Sequence, residues 1–231
     1  MFLGHLQQRR TMMDFNYILD ALPDLMAGLK VTLMVSGLGI LLSCIIGAIG
    51  AALRTSGFKP AEYIITAYVE FIRGTPYLVQ IFFIFYGLPS LGLRLSIFWS
   101  GVVALTVWAS AFQIENFRAG LAAVGHGVRD ASASLGLKRW HHALLIILPL
   151  AARAALPSSM NTIVATVKNS AYLQAIGLVE LTFVAVDRIA YDFRAIEMFF
   201  SICVIYLICV FALSGLGHTL ERRLNRPFAG R

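Results

Sequence analysis

Residues 129–149 read RDASASLGLKRWHHALLIILP, and they lie between apolar runs long enough to cross a bilayer. The first half, Asp130-Ala131-Ser132-Ala133-Ser134, is small and polar and ends at Leu135-Gly136. Small residues make a short helix that a partner's backbone approaches closely, and glycine suits the left-handed position that ends a helix. Lys138, Arg139, Trp140, His141 and His142 follow, a basic and aromatic cluster of the kind found at the cytoplasmic interface of a membrane. By periodicity alone the stretch is an interfacial amphipathic helix.

The surrounding chain sets the class. Of 231 residues, 58% are hydrophobic and only 13% charged, with a mean hydropathy of +0.77. A soluble domain carries about 25% charged residues. Several runs approach the roughly 20 apolar residues that a spanning helix needs, so the expected fold is an all-α integral membrane bundle. The net charge of +7 suggests nucleic acid only if its placement is ignored. Most basic residues flank the apolar spans and read as topology signals, so no nucleic acid partner is expected. Residues 1–24 contain acids and no clean apolar segment, so no secretory signal peptide is expected before the first span. Cys44, Cys203 and Cys209 lie inside apolar spans without metal-like spacing and read as buried structural thiols.

Working outward, residues 1–24 form a mixed tail punctuated by Pro23. The first span runs from about Gly28 to Leu53, with Gly39, Ser43, Gly47 and Ala51 recurring every four residues as a seam for close helix packing. The second, from about Ala61 to Leu88, carries Thr66, Glu70, Arg73, Tyr77 and Gln80 at helical spacing on one face, and Gly74 and Pro76 predict a kink or interruption. Glu70 and Arg73 read either as a self-neutralising structural pair or as groups facing a wet path, with Thr75 and Gln80 nearer that path. A third span covers about Phe98 to Ala122, where Glu115 and Arg118 are placed to pair near its end. The fourth begins near Leu144 and carries Pro149, Arg153 and Pro157, so it is expected to be bent or discontinuous. Near its end Lys168, Asn169 and Ser170 either cap the helix or, with Asn161, offer polar groups to a zwitterion.

Ala171–Val186 is apolar enough to suggest another span. The balanced charges of Asp187, Arg188, Asp192, Arg194 and Glu197 instead make residues 187–197 an outside loop, and a last span runs from about Met198 to Leu216. The loops carrying Arg54 and Lys59, then Arg129, Lys138 and Arg139, and the tail with Arg222, Arg223, Arg226 and Arg231 then lie inside. That gives five spans with the N-terminus outside and the C-terminus cytoplasmic. The expected division is a tail at 1–24, a transmembrane domain at 25–223 with its loop at 129–149, and a tail at 224–231.

The order Asp130-Ala131-Ser132, Gly136, Ile146, Leu148-Pro149 resembles the EAA loop of permease subunits of ATP-binding-cassette importers. That pattern is Glu-Ala-Ala, three residues, Gly, nine residues, Ile, one residue, Leu-Pro. The spacing fits in full, with Asp130 for Glu and Ser132 for the second Ala. Residues 70–89, EFIRGTPYLVQIFFIFYGLP, resemble the Arg-Gly-Thr-Pro segment of permeases for polar amino acids and opines, with Tyr77 where Leu is usual. Glu115, Arg118 and Gly120 fit the same family. So do Lys168, Ser170, Ile176, Gly177, Glu180 and Leu181, while Asn169 replaces an acid.

The resemblance implies a MetI-like permease fold of five transmembrane helices with a short cytoplasmic coupling helix, in a bacterial inner membrane. It implies a subunit of an importer for an amino acid of the histidine, glutamine, glutamate, arginine and opine group. It also implies a second permease chain, alike or related, two ATPase subunits, and a periplasmic or lipid-anchored binding protein, all surrounded by membrane lipids. Asp130, Ala131, Ser132, Leu135 and Gly136 would meet the ATPase, with Asp130 near the helix N-terminus and favoured by its dipole. The chain lacks a phosphate-cradling loop of its own, a metalloprotease His-Glu-x-x-His and a Gly-x-Ser-x-Gly elbow, so neither an enzyme role nor a bound cofactor is expected. His141 and His142 are adjacent, point different ways on a helix, and make a poor metal pair. The rival readings are a self-sufficient channel or secondary transporter, which would more often show internal repeats, and a membrane enzyme, which would need a catalytic cluster.

Overall fold

The computed structural model describes residues 13–134 and 136–225. Asp14 opens the first helix, α1 (Phe15–Arg54), where its carboxylate accepts the amides of Asn16 at 3.1 Å and Tyr17 at 3.3 Å. At 40 residues α1 is about 60 Å long, roughly twice the hydrocarbon thickness of a bilayer. It takes in residues 15–24, which the sequence assigns to a separate tail; residues 1–12 lie outside the described part. Pro23 sits within α1 and ends nothing. Ala21 and Leu25 beside it are fully buried in a cluster with Leu181, Ala185 and Met198, and that packing outweighs one missing backbone bond.

The next helix, α2 (Lys59–Gly74), starts with Pro60 in its first turn, where no amide partner is needed. It stops because Thr75 precedes Pro76 and is forced into extended backbone, φ −111° and ψ 146°. The chain restarts as α3 (Tyr77–Phe82), loosens into a π turn at Phe83–Gly87, and tightens into a 3-10 turn at Leu88–Leu91. The two halves are bent by 109°. The expected interruption is present, but so sharp a turn removes the single polar face expected for Thr66, Glu70, Arg73, Tyr77 and Gln80.

The central helix is α4 (Ile97–Ala123), opened by Ser96, whose hydroxyl accepts the Trp99 amide at 3.3 Å. The seam of α1 lies against it. A Cβ on Gly39 would stand 2.9 Å from Leu105 Cβ, and one on Gly47 would stand 2.6 Å from Gln113 Cβ, so small residues set this helix spacing. After α4 come α5 (His126–Ala133), α6 (Arg139–His142) and a π turn at Ala143–Ile147, then α7 (Leu148–Asn169). Of the bend or discontinuity expected in this span, the discontinuity at Pro157 is absent: α7 runs through it without interruption, and Pro149 falls in the first turn after the π turn. On its other side α4 meets α7 closely, since a Cβ on Gly120 would stand 2.5 Å from the Ala151 carbonyl oxygen.

A 3-10 turn at Ser170–Ile176 ends at Gly177, φ 81°, and Glu180 then caps α8 (Leu181–Asp192) by accepting the Phe183 amide at 2.8 Å. Phe193, φ 55°, turns the chain into α9 (Ala195–Asn225). Neither the 3-10 turn nor α8 is long enough to cross, but residues 187–197 are not the expected loop: all except Phe193 and Arg194 lie in α8 or α9. Among the described residues four helices are long and apolar enough to span a membrane, and the bent pair α2–α3 makes a fifth if counted as one span. The thiols depart from expectation. Cys203 is exposed and Cys44 and Cys209 are half-buried, all free, because much of each span faces outward from the bundle.

Candidate functional site

The loop between α4 and α7 is built from small residues and two glycine joints. Gly125, in extended backbone, starts α5 at His126, one turn ahead of Asp130. Asp130 is therefore in the second half of the helix and not at its N-terminus as expected, so the dipole, which acts within the first turn, gives it little. The Asp130 carbonyl accepts the Ser134 amide at 3.0 Å and the Ser134 hydroxyl at 2.9 Å, which closes the helix. Gly136 follows at φ 68°, the left-handed conformation expected of it. Asp130, Ala131 and Gly136 are exposed, whereas Ser132 is buried and its hydroxyl lies 2.6 Å from His142 Nε2. Leu135 lies outside the described residues. Trp140 stacks on His141 with ring centroids 3.4 Å apart.

Charged groups gather near this loop. Arg118 donates to Glu115 from Nε at 3.1 Å and from Nη2 at 2.8 Å, the expected pair. Arg54, the last residue of α1, also donates to Glu115, a partner that sequence spacing could not supply. Arg54, Glu62 and Arg118 border a cavity of about 460 Å3 that reaches Ile147 in the π turn before α7.

At the break in the second span, Gln80 acts as a clamp. Its Nε2 donates to the Ile72 carbonyl at 2.7 Å, the Thr75 carbonyl at 3.1 Å and Thr75 Oγ1 at 2.9 Å, and Thr75 in turn donates to the Phe71 carbonyl at 2.9 Å. These are carbonyls that the ended helix leaves free. The Glu70–Arg73 pair does not form. Glu70 is exposed, and the Arg73 guanidinium lies over the Phe112 ring, 5.2 Å from its centroid. Thr75 and Gln80 border a largely apolar cavity of about 400 Å3 with Val79, Phe83, Val103 and Val107.

The other path candidates lie elsewhere. Asn161 borders a small groove between α7 and α9 with Met160, Ser214, His218 and Glu221. Lys168 is exposed and Asn169 half-buried at the end of α7, while Ser170 is fully buried and donates to the Val167 carbonyl at 2.7 Å. The six residues therefore occupy three places in this chain and do not converge on one pocket.

Three polar groupings join partners that the sequence did not bring together. Asn116 Nδ2 donates to Thr162 Oγ1 at 2.8 Å, to the Ser158 carbonyl at 3.3 Å and to Gln113 Oε1 at 3.2 Å, pinning α4 to α7. Glu180, fully buried, accepts from Thr32 at 3.3 Å and from Tyr206 at 3.2 Å, joining α1 and α9 to the start of α8. Arg188 meets Asp24 at 2.6 Å and Asp20 at 3.6 Å, and the Asp24 carboxylate holds its guanidinium above the ordinary arginine value. The first grouping had a signal: two amide side chains three residues apart in an apolar span.

The family described as the inner membrane component of binding-protein-dependent transport systems matches residues 39–226. This chain belongs to that family. The glutamine transport system permease GlnP of Escherichia coli strain K12 is 36% identical over 92% of this chain and 98% of its own length. A probable glutamine ABC transporter permease, GlnM of Bacillus subtilis strain 168, is 34% identical over 94% of this chain and 100% of its own. A solved structure, an amino acid ABC transporter with histidines, superposes with a TM-score of 0.85 at 32% identity, over 92% of this chain and 100% of that one. As a member of the family the chain is a multi-pass permease component of the inner membrane, a transport subunit with the MetI-like fold.

Proposed function

We propose that this permease carries a polar amino acid inward, paired with a second permease chain and driven by a separate ATPase dimer that grips α5. The observation that carries the coupling role is the exposed face of an eight-residue helix, with Asp130 and Ala131 on it, closed by left-handed Gly136 and placed between two spans. The cargo reading is supported by relatives named for glutamine and amino acids that cover nearly the whole chain. A periplasmic or lipid-anchored binding protein delivers the amino acid. Closure of the ATPases on ATP pushes α5, and the spans rock between inward-facing and outward-facing states.

Orientation follows from charge. The ends carrying Arg54 and Lys59, Lys138 and Arg139, and Arg222 and Arg223 are cytoplasmic, and the start of α1 and the α8–α9 corner face outside. Among the path candidates Lys168 and Asn169 are the accessible polar groups at the end of α7, and Asn169 supplies no negative charge. A neutral or acidic amino acid is therefore favoured over arginine or lysine. Co-purification of the complex with mass spectrometry identifies the subunits, and uptake into proteoliposomes, competed with each amino-acid class, tests the cargo. Strong preference for arginine or lysine would refute the charge argument.

A further inference from the structure

We infer that Ser132 and His142 form a strap that sets the angle of α5 against α7, which makes both of them positioning residues for energy coupling. The inference rests on the docking role proposed for α5. Position 132 is where this chain departs from the small apolar residue of the loop pattern, and the added hydroxyl is put to use. Ser132 is 5% exposed and turns inward, while its neighbours Asp130 and Ala131 face out. Its Oγ lies 2.6 Å from Nε2 of His142, the last residue of α6. The π turn that leads into α7 begins at the next residue, so the bond ties α5 to the head of a span.

Glycines flank α5 at both ends. On one side Gly125 opens the helix without a side-chain cap. On the other, Gly136 turns in open space, with no atom within 4 Å of where a Cβ would stand. A cavity of about 460 Å3 is bordered by Val128 on α5 and by Leu150, Arg153 and Ala154 on α7. A helix jointed by glycine at both ends tilts when pushed. A short directional bond ten residues across the loop converts the same push into movement of α7.

The test uses the complete transporter with its ATPase and binding protein, comparing Ser132→Ala, His142→Ala, the double variant, Ser132→Thr and Gly136→Val. The readout is the ratio of ATP hydrolysis with and without loaded binding protein, together with the number of ATP molecules consumed per amino acid delivered. Each single variant should lower the stimulation ratio about three- to tenfold, the size of effect expected for one lost hydrogen bond. The double variant should be no worse than the weaker single, and Ser132→Thr should retain the wild-type ratio. Wild-type stimulation in Ser132→Ala, or single effects that multiply in the double variant, would overturn the strap. Gly136→Val separates the two claims. If it abolishes coupling while Ser132→Ala does not, only the strap is lost; if it is also harmless, the docking role fails as well.

Discussion

At the scale of single residues, Gly136 and Glu115 make the firmest predictions. Gly136 has φ 68° and open space around its Cα, so a substitution there meets backbone strain and no steric wall. Gly136→Val should insert and assemble normally yet lose uptake, because a β-branched side chain resists the left-handed region at a cost of about 1–2 kcal/mol. Gly136→Asn, which tolerates that region, should retain most uptake; equal loss in both variants would mean that something other than φ matters. Glu115 accepts from both Arg54 and Arg118 in a partly buried setting. Glu115→Gln should therefore lower the yield of folded complex, by an amount between the roughly 1 kcal/mol of an exposed pair and the roughly 3 kcal/mol of a buried one. Thermal unfolding in detergent measures it. Glu70→Ala, by contrast, should leave folding unchanged, since Glu70 is exposed and makes no pair with Arg73. The left-handed glycine was legible in the sequence because it depends only on local backbone. The Arg54–Glu115 bond was not, because it joins residues 61 positions apart that meet only once α1 lies along α4.

At the scale of elements, packing seams and helix breaks were readable and their consequences were not. The four-residue recurrence of Gly39, Ser43, Gly47 and Ala51 announces a close helix contact, and α1 meets α4 along it. Gly47→Leu should separate these helices, since even a Cβ there comes within 2.6 Å of Gln113 Cβ. Loss of assembled protein on size-exclusion chromatography is the expected result, and a normal elution profile would argue that α1 can shift at little cost. Pro76 predicts the break after α2, but a 109° turn redirects every side chain beyond it, so Gln80 became a clamp and not a member of a shared polar face. In the opposite sense, no break falls at Pro23 or Pro157. Both sit inside uninterrupted helices because neighbouring helices hold the backbone in place, a tertiary effect invisible to local rules.

At the scale of the whole molecule, the chain is a bundle whose centre is fixed by small residues and buried amides, with one loop hung from it on glycine joints. Asn116 and Gly120 lock α4 to α7 on either side of that loop, so a push delivered there is shared by two spans. The proposed orientation rests on charge placement: in a background without native cysteines, Ala190→Cys should label from outside and Asn225→Cys from the cytoplasm, and same-side labelling would require an even number of crossings between them. The coupling role proposed for the loop is tested most directly by cross-linking in membranes that contain the whole transporter, with a cysteine at Ala131 on the exposed face of α5 compared with one at Ala190. Adducts with the ATPase subunit should form at residue 131 and change in yield when ATP is bound. An ATPase adduct at residue 190, with none at 131, would contradict both the docking role and the orientation.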